Sequence, residues 1–427
     1  MSKRCPWVGC RFYTAIAALT AVLTWGAVPS FAGQGDCAQP LTGGLGPRAS
    51  DCLFILQVAV GQKACLPECI CAPRGTLPAK ASDALVCLRA AVGIDQELDC
   101  PCPVTTTSTT STTSTTTTTL DVNPPDEWTP AFDAFEQGWM MSGWGSGDGS
   151  QWVVGGELAA GKIFRKDATG WQEIDHGIDV ELLNWVDGSG PSDVFAAGND
   201  GKILHYDGIS WSEQATPVSA PVWGLWVEAA NDAWAVGGNV SSGTPFVLRY
   251  DGVQWTQQDI PIFDRPFVFS LFKVWGSGPN DIYAVGQNGA GLHWNGTDFS
   301  ELGFGISQDL VGIWGTGTDD IMIVGGRGTA EMAHFDGDVW TKAAPSALPG
   351  LNGVWMRHPG VAYGVGVNGT MVRIDPADFS VVVEVVPTGL DLHGIFGDSQ
   401  GQLLALGANF DFPERGTAIE RRLSDEE

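Results

Sequence analysis

A stretch of 26 residues, Val274 to Phe299 (VWGSGPNDIYAVGQNGAGLHWNGTDF), recurs in degraded copies from Ser142 onward, and nothing else in the chain limits its fold as tightly. Aligned on the aromatic that follows a short apolar run, Trp144, Trp185, Trp226, Trp275, Trp314, Trp355 and Phe396 come into register at spacings of 41, 41, 49, 39, 41 and 41 residues. A period of this size suits four-stranded propeller blades. Helical repeats of similar length would carry apolar residues at intervals of three and four. That spacing is absent, and Gly, Asn and Asp cut each copy into strand-length pieces.

Each copy supplies four such pieces. The first ends on the anchor aromatic (LVGIW, LNGVW, LHGIF), and Gly224, Gly312, Gly353 and Gly394 stand two places before it, where a missing side chain lets innermost strands crowd an axis. The second is an almost unbroken apolar run (VFAAG, AWAVG, IYAVG, IMIVG, AYGVG, LLALG). A strand with one wet face would alternate, so these runs predict burial on both faces, between two neighbouring blades. The third runs into a polar turn (LHYDG, LRYDG, LHWNG, AHFDG), and the fourth starts near Trp171, Trp211, Trp255, Phe299, Trp340 or Phe379.

The last copy offers QLLALG and TAIERRL but no fourth strand, whereas EWTPA (127–131) precedes the first anchor and matches the fourth-strand starts VQWTQ and DVWTK. The expected fold is therefore all-β. It is a seven-bladed β-propeller of four-stranded blades, closed by the N-terminal strand, which leaves no sheet edge exposed. The repeats resemble those of secreted bacterial seven-bladed propellers built from VWGSGPxDxYAVGxxGxxxHYDGxxW units, over residues 127–427. That resemblance implies an architecture and leaves the activity undefined.

With 22 Lys and Arg against 49 Asp and Glu, the chain has a formal net charge of −27. Residues 1–32 hold Lys3, Arg4 and Arg11 and no acid, so the remainder is more acidic still. Such a surface disfavours nucleic acid and anionic membranes as partners. Residues 1–32 read as a secretory signal: a basic start, an apolar run from Phe12 to Val28, and a small-x-small site at Ser30-Phe31-Ala32. A retained membrane anchor is the alternative reading of that run. No later stretch is apolar enough to span a bilayer. Export would place the chain outside the cell, at its surface or in the periplasm.

Residues 33–103 form a second expected domain and hold Cys37, Cys52, Cys65, Cys69, Cys71, Cys87, Cys100 and Cys102. An even number of cysteines in so short an exported segment predicts a small disulfide-rich helical module, with connectivity left open. ASDCLFILQVAVG from Ala49 and ASDALVCLRAAVG from Ala81 match at eight of thirteen positions, and each opens with a helix-start signal. The pair resembles the twin loop–helix repeats of type I dockerins, whose loops bind calcium. Here Asp51 and Asp83 fall on the last carboxylate ligand, but the early positions hold Pro40, Thr42, Gly44, Ala72, Arg74 and Thr76. Calcium needs several hard oxygens, so the aspartates read as helix caps and no cofactor is expected. The resemblance still implies a calcium-free docking role toward a cohesin-like partner. Residues 104–126 contain TTTSTTSTTSTTTTT, which has nothing to bury and reads as an extended linker.

The propeller carries no catalytic motif. His205, His293 and His334 recur at one third-strand position, shared by Arg165, Arg249 and Arg373 in other copies, which points to a structural role. Asp200, Asn288 and Asn368, and likewise Asp207, Asp251, Asn295 and Asp336, precede Gly and read as turn residues. Function is sought instead where the period breaks. The 49-residue spacing comes from two longer connections, second-to-third (Gly237 to Pro245) and fourth-to-first (Asp259 to Phe269), which in an antiparallel blade leave the same face. Asn239, Ser241, Ser242, Asp264, Arg265 and Phe267 are the candidate ligand-binding residues, with no metal site. The function expected is non-enzymatic binding of a protein or polysaccharide partner at the cell surface. The alternative is a carbohydrate-active hydrolase or lyase working through a carboxylate pair.

Overall fold

The computed structural model describes residues 49–60, 71, 79–91, 127–398, 401–409 and 415–424, and the chain divides into two compact units, residues 1–113 and 114–427. The expected signal, the linker, the early loop positions and Cys37, Cys65, Cys69, Cys100 and Cys102 lie outside the described residues.

In the smaller unit the duplicated segments form two helices, Ala49–Ala59 and Ala81–Ala91. A Cys52–Cys87 disulfide joins them, with the Cα atoms 5.3 Å apart. Cys71 is disulfide-bonded as well. Ile55, Cys71 and Cys87 are fully buried beside Ala79 and Ala84. Asp83 behaves as a cap: its Oδ2 accepts the Lys80 N–H at 2.8 Å while its own N–H donates to the Lys80 carbonyl at 2.8 Å. The two bonds together satisfy groups that the first turn would otherwise leave open.

The larger unit is seven antiparallel four-stranded sheets. Blade four shows the pattern, running outward through Leu271–Gly278, Asp281–Gly286, Ala290–Trp294 and Phe299–Gly303. The second strands are buried along nearly their whole length, as the unbroken apolar runs require, and they supply most of the core. In the innermost strands a Cβ on Gly224 would stand 2.8 Å from the Phe272 carbonyl oxygen, so the axis is as crowded as the glycine positions predict.

Closure follows the expected route. Thr129–Pro130 pairs with Gly416–Arg422, Thr129 opposite Glu420 and Pro130 opposite Ile419, and so completes the seventh sheet. Glu384, on the outer edge of blade six, locks both ends: it accepts the Trp128 indole N–H at 2.7 Å and Arg421 Nη1 at 2.7 Å. Trp128 and Arg421 are only 5% and 4% exposed, so these charge-assisted bonds form away from water.

One alignment needs correction. In blade two the residue opposite Phe195 is Asp187, whereas in blades three and four Trp226 and Trp275 face the equivalent Trp234 and Tyr283. Asp187 therefore holds the anchor place and Trp185 the place of the axial glycine. The sequence alignment favoured Trp185 because it is aromatic, but the pairing of strands, set by burial of the VFAAG run, decides the register. The neighbouring spacings become 43 and 39 residues.

Trp128→Ala should lower unfolding stability by about 3–5 kcal/mol, the usual range for truncating a buried aromatic, because it also takes a donor from Glu384. Urea unfolding of the full chain measures it, and a loss below about 1 kcal/mol would show that the early strand does not fasten the ring.

Candidate functional site

The two inserted connections lie together on one face. Gln287 bridges them, donating from Nε2 to the Val240 carbonyl at 2.8 Å and accepting the Phe269 N–H at 2.9 Å. Ser270 Oγ also lies 3.2 Å from the Gly238 carbonyl. The shorter connection, expected as a loop from Gly237 to Pro245, is a lengthened hairpin: strands Asp232–Asn239 and Ser242–Tyr250 meet at a two-residue turn, where Asn239 accepts the Ser241 N–H at 3.0 Å and Ser241 and Ser242 are exposed.

The longer loop is held from beneath. Ile260, Phe263 and Val268 pack on the core of blades three and four. Arg265 reaches under it, donating to Glu301 Oε1 at 3.2 Å and to the Asn288 carbonyl at 2.8 Å, while Glu301 Oε2 accepts the Asp264 N–H at 2.8 Å. Of the residues chosen for polar chemistry, Arg265 is thus a staple, and Asp264 lends it a backbone donor. The loop presents Ile262, 95% exposed, and Phe267, 72% exposed, together with the exposed Asp259 and Asp264, above a groove of about 400 Å³ running beside Pro245 and Gln258. Phe267 takes a φ of +60°, a left-handed conformation rarely tolerated by a bulky side chain. Asn288 Nδ2 holds it there, donating to the Phe267 carbonyl at 2.8 Å.

The repeat-encoded histidines form Ser–Asp–His sets whose wiring is structural. Nε2 of His205, His293 and His334 meets Asp193, Asp281 and Asp320 at 2.7 Å in each case. The second oxygen of each aspartate accepts a hydroxyl, from Ser189, Ser277 and Thr316. A hydrolytic triad needs the histidine between hydroxyl and carboxylate, and here the carboxylate lies between the other two. In blade three Arg249 replaces the histidine, binding Asp232 through two bonds of 2.9 and 2.8 Å. The turn residues behave as read: Asp200, Asn288 and Asn368 have φ of 54°, 54° and 57°. Among the described residues no group of three or more metal-ligating side chains comes together.

The channel along the propeller axis carries groups that the sequence reading passed over. On the face of the inserted loops its mouth is a cavity of about 200 Å³, reached by Lys273, Arg327 and His393 and walled by Trp223 and Phe272. Lys273 takes an axial-glycine place; its ammonium lies 4.0 Å from the Trp185 ring and donates to the Trp223 carbonyl at 3.0 Å. Burial pulls its pKa down to about 7. Burial, then the charges of Lys273 and Arg327, hold His393 near 3, so it is neutral at ordinary pH. Arg327 is tied to Asp309, Nε to Oδ2 at 2.8 Å, with most of its side chain exposed. Further along the channel Asp187 Oδ2 accepts the Val227 N–H at 2.8 Å, and burial raises this carboxyl to about 7. Lys273 was visible in the sequence as the one base (LFKVW) where four copies have glycine.

Among solved structures the chain is similar to YCF48 bound to a D1 peptide, at 17% identity and TM-score 0.52, covering 72% of this chain and 99% of that one. It is similar to the WD40 propeller domain of Doa1, at 9% identity and TM-score 0.55, covering 71% and 97%. A third likeness is to a catalytically inactive virginiamycin B lyase from Staphylococcus aureus with quinupristin, at 13% identity and TM-score 0.57, covering 70% and 99%. Identities this low establish a shared fold alone. No protein-family model and no curated protein matches the chain.

Asp187 generates a test of the channel's electrostatics. A carboxyl raised in the folded state keeps a proton that the unfolded chain releases, so its contribution to stability declines as pH rises from about 4 to about 7. Asp187→Asn keeps an acceptor for Val227 without ionising. It should melt with wild type near pH 4 and progressively above it toward pH 8; parallel melting profiles across that range would refute the raised carboxyl.

Proposed function

We propose that this protein is an exported, non-enzymatic binding propeller that engages a partner through the face carrying the two inserted loops, with a protein favoured over a polysaccharide. The observation that carries the reading is a stapled loop presenting Ile262 and Phe267 to solvent, 95% and 72% exposed, above a groove of mixed polar and apolar lining. A rigid loop loses little conformational freedom on binding, and large apolar side chains held outward are the groups that anchor protein interfaces. Structurally similar proteins include a propeller bound to a peptide, which supports the mode without identifying a partner. The histidine sets are structural, and Asp187 is engaged with a backbone donor, so binding is preferred over the hydrolase or lyase alternative. The small cysteine module would serve as the docking or spacer unit.

Capture of surface proteins and glycans from the producing organism tests the reading. Ile262→Asp combined with Phe267→Asp should reduce captured partner at least tenfold. Ile209→Asp with Val253→Asp, in third-to-fourth turns on the opposite face, should leave capture unchanged; both of those residues are more than 80% exposed. Undiminished capture by the first pair refutes the assignment, and release of product from a polysaccharide would move the protein to the enzymatic alternative.

A further inference from the structure

Three departures from the repeat converge at the channel mouth. Lys273 stands where Gly224, Gly312, Gly353 and Gly394 stand in other blades. Arg327 lies in the second-to-third connection of blade five, where blades two, four and six place Asp200, Asn288 or Asn368. His393 lies three residues before its anchor, a place held by Met141, Trp223 and Val311 elsewhere. None of the three is needed to build a blade, because other blades form without them.

The cavity they share has no Asp or Glu in its lining, although the chain carries 49 acids against 22 Lys and Arg. Arg327 is paired with Asp309 outside that lining, and the Lys273 ammonium donates to a neutral carbonyl, that of Trp223. A fourth polar group faces the same space with bonding capacity left. Asn184, 2% exposed, has its amide orientation fixed by Nδ2 donating to Asn199 Oδ1 at 3.3 Å and to the Val222 carbonyl at 3.2 Å. Its buried Oδ1 accepts no hydrogen bond among the described residues. A buried acceptor left open costs about 1–3 kcal/mol, so a donor arriving there is stabilised.

We propose that this mouth binds the carboxylate of an acidic sugar, with Lys273, Arg327 and His393 facing the anion, a ring hydroxyl donating to Asn184, and the ring's apolar face against Trp223 and Phe272. An ammonium and a guanidinium supply charge and directed donors for a carboxylate, and neutral His393 adds a ring N–H. The carboxylate alone could come from a peptide. A hydroxyl donor and an apolar face beside it in one ring-sized unit favour a uronic acid. This goes beyond the partner-binding reading: it adds a separate sugar ligand at the same face and uses residues other than Ile262 and Phe267.

Calorimetric titration of the full chain with galacturonate, trigalacturonate, galactose and an Asp–Asp dipeptide tests the proposal. Galacturonate and trigalacturonate should bind, galactose and the dipeptide at least tenfold more weakly. Lys273→Met and Arg327→Gln should each weaken uronate binding at least tenfold; Arg327 is exposed enough for its variant to fold regardless. The Ile262→Asp, Phe267→Asp protein should bind uronate as wild type does, which separates failure here from failure of the partner-binding reading. No uronate binding, equal binding of galactose, equal or tighter binding of the dipeptide, or full affinity in both cation variants overturns the proposal.

Discussion

The structure depends on one contact repeated around the axis: at five of the seven joints the anchor ring of one blade leans on the glycine that follows the anchor of the next. A Cβ on Gly276 would stand 2.7 Å from Trp226, and the corresponding approaches are 2.5 Å for Gly315 to Trp275, 2.5 Å for Gly397 to Trp355 and 3.0 Å for Gly188 to Trp144. Phe396 closes the circuit by lying 3.4 Å from a Cβ on Gly145. Each blade therefore buries its aromatic only when the next is in place, which is why a sheet that would be marginal alone becomes stable in a closed ring. Glu384, joining Trp128 and Arg421, gives that circuit its seam.

The two places where the following glycine is absent show how the contact is replaced. In blade three Val227 occupies it, and the preceding blade brings Asp187 in place of a tryptophan, whose carboxylate takes the Val227 N–H at 2.8 Å. In blade six Met356 occupies it, and Trp314 keeps its ring but donates its indole N–H to the Met356 carbonyl at 3.1 Å. A hydrogen bond to the backbone joins the blades at both places, in place of ring packing at the first and beside it at the second. A charged group in the channel is thus explained first by the joint it serves, and Asp187 has such an explanation. Lys273 also makes a joint, donating from blade four to the Trp223 carbonyl of blade three at 3.0 Å and lying over Trp185, although the axial place it fills asks only for something small.

The period, the strand count and the closing segment were legible in the sequence because each is written many times or, like EWTPA, matches something that is. Burial on both faces of the second strands was legible for the same reason. Blade two was misread because a single alignment rests on residue type, and Trp185 mimics the anchor two places early; only the pairing of Asp187 with Phe195 exposes the slip. The loop lengths pointed to the face proposed for binding, yet the groups on it could not be sorted. Arg265 is chemically attractive in a sequence, but its guanidinium is spent on Glu301 and the Asn288 carbonyl. Whether a polar side chain points out or staples its own loop depends on partners 23 and 36 residues away.

That inversion has a general physical basis. A long connection must satisfy its backbone carbonyls and N–H groups without a strand ladder, so a residue with several donors such as Arg265 is drawn inward while Asp259 and Asp264 stay exposed, and apolar residues beyond the reach of the core are left outside. Ile260, Phe263 and Val268 reach the core of the neighbouring blades and Ile262 does not, though all four belong to one segment. The same logic runs in reverse at the axis. There the strands satisfy their own backbones and the default residue is glycine, so a lysine and a histidine in the channel, with an arginine at its rim, are more than the scaffold asks for. Excess polar chemistry on a repeat is most informative where the repeat itself would be content with no side chain at all.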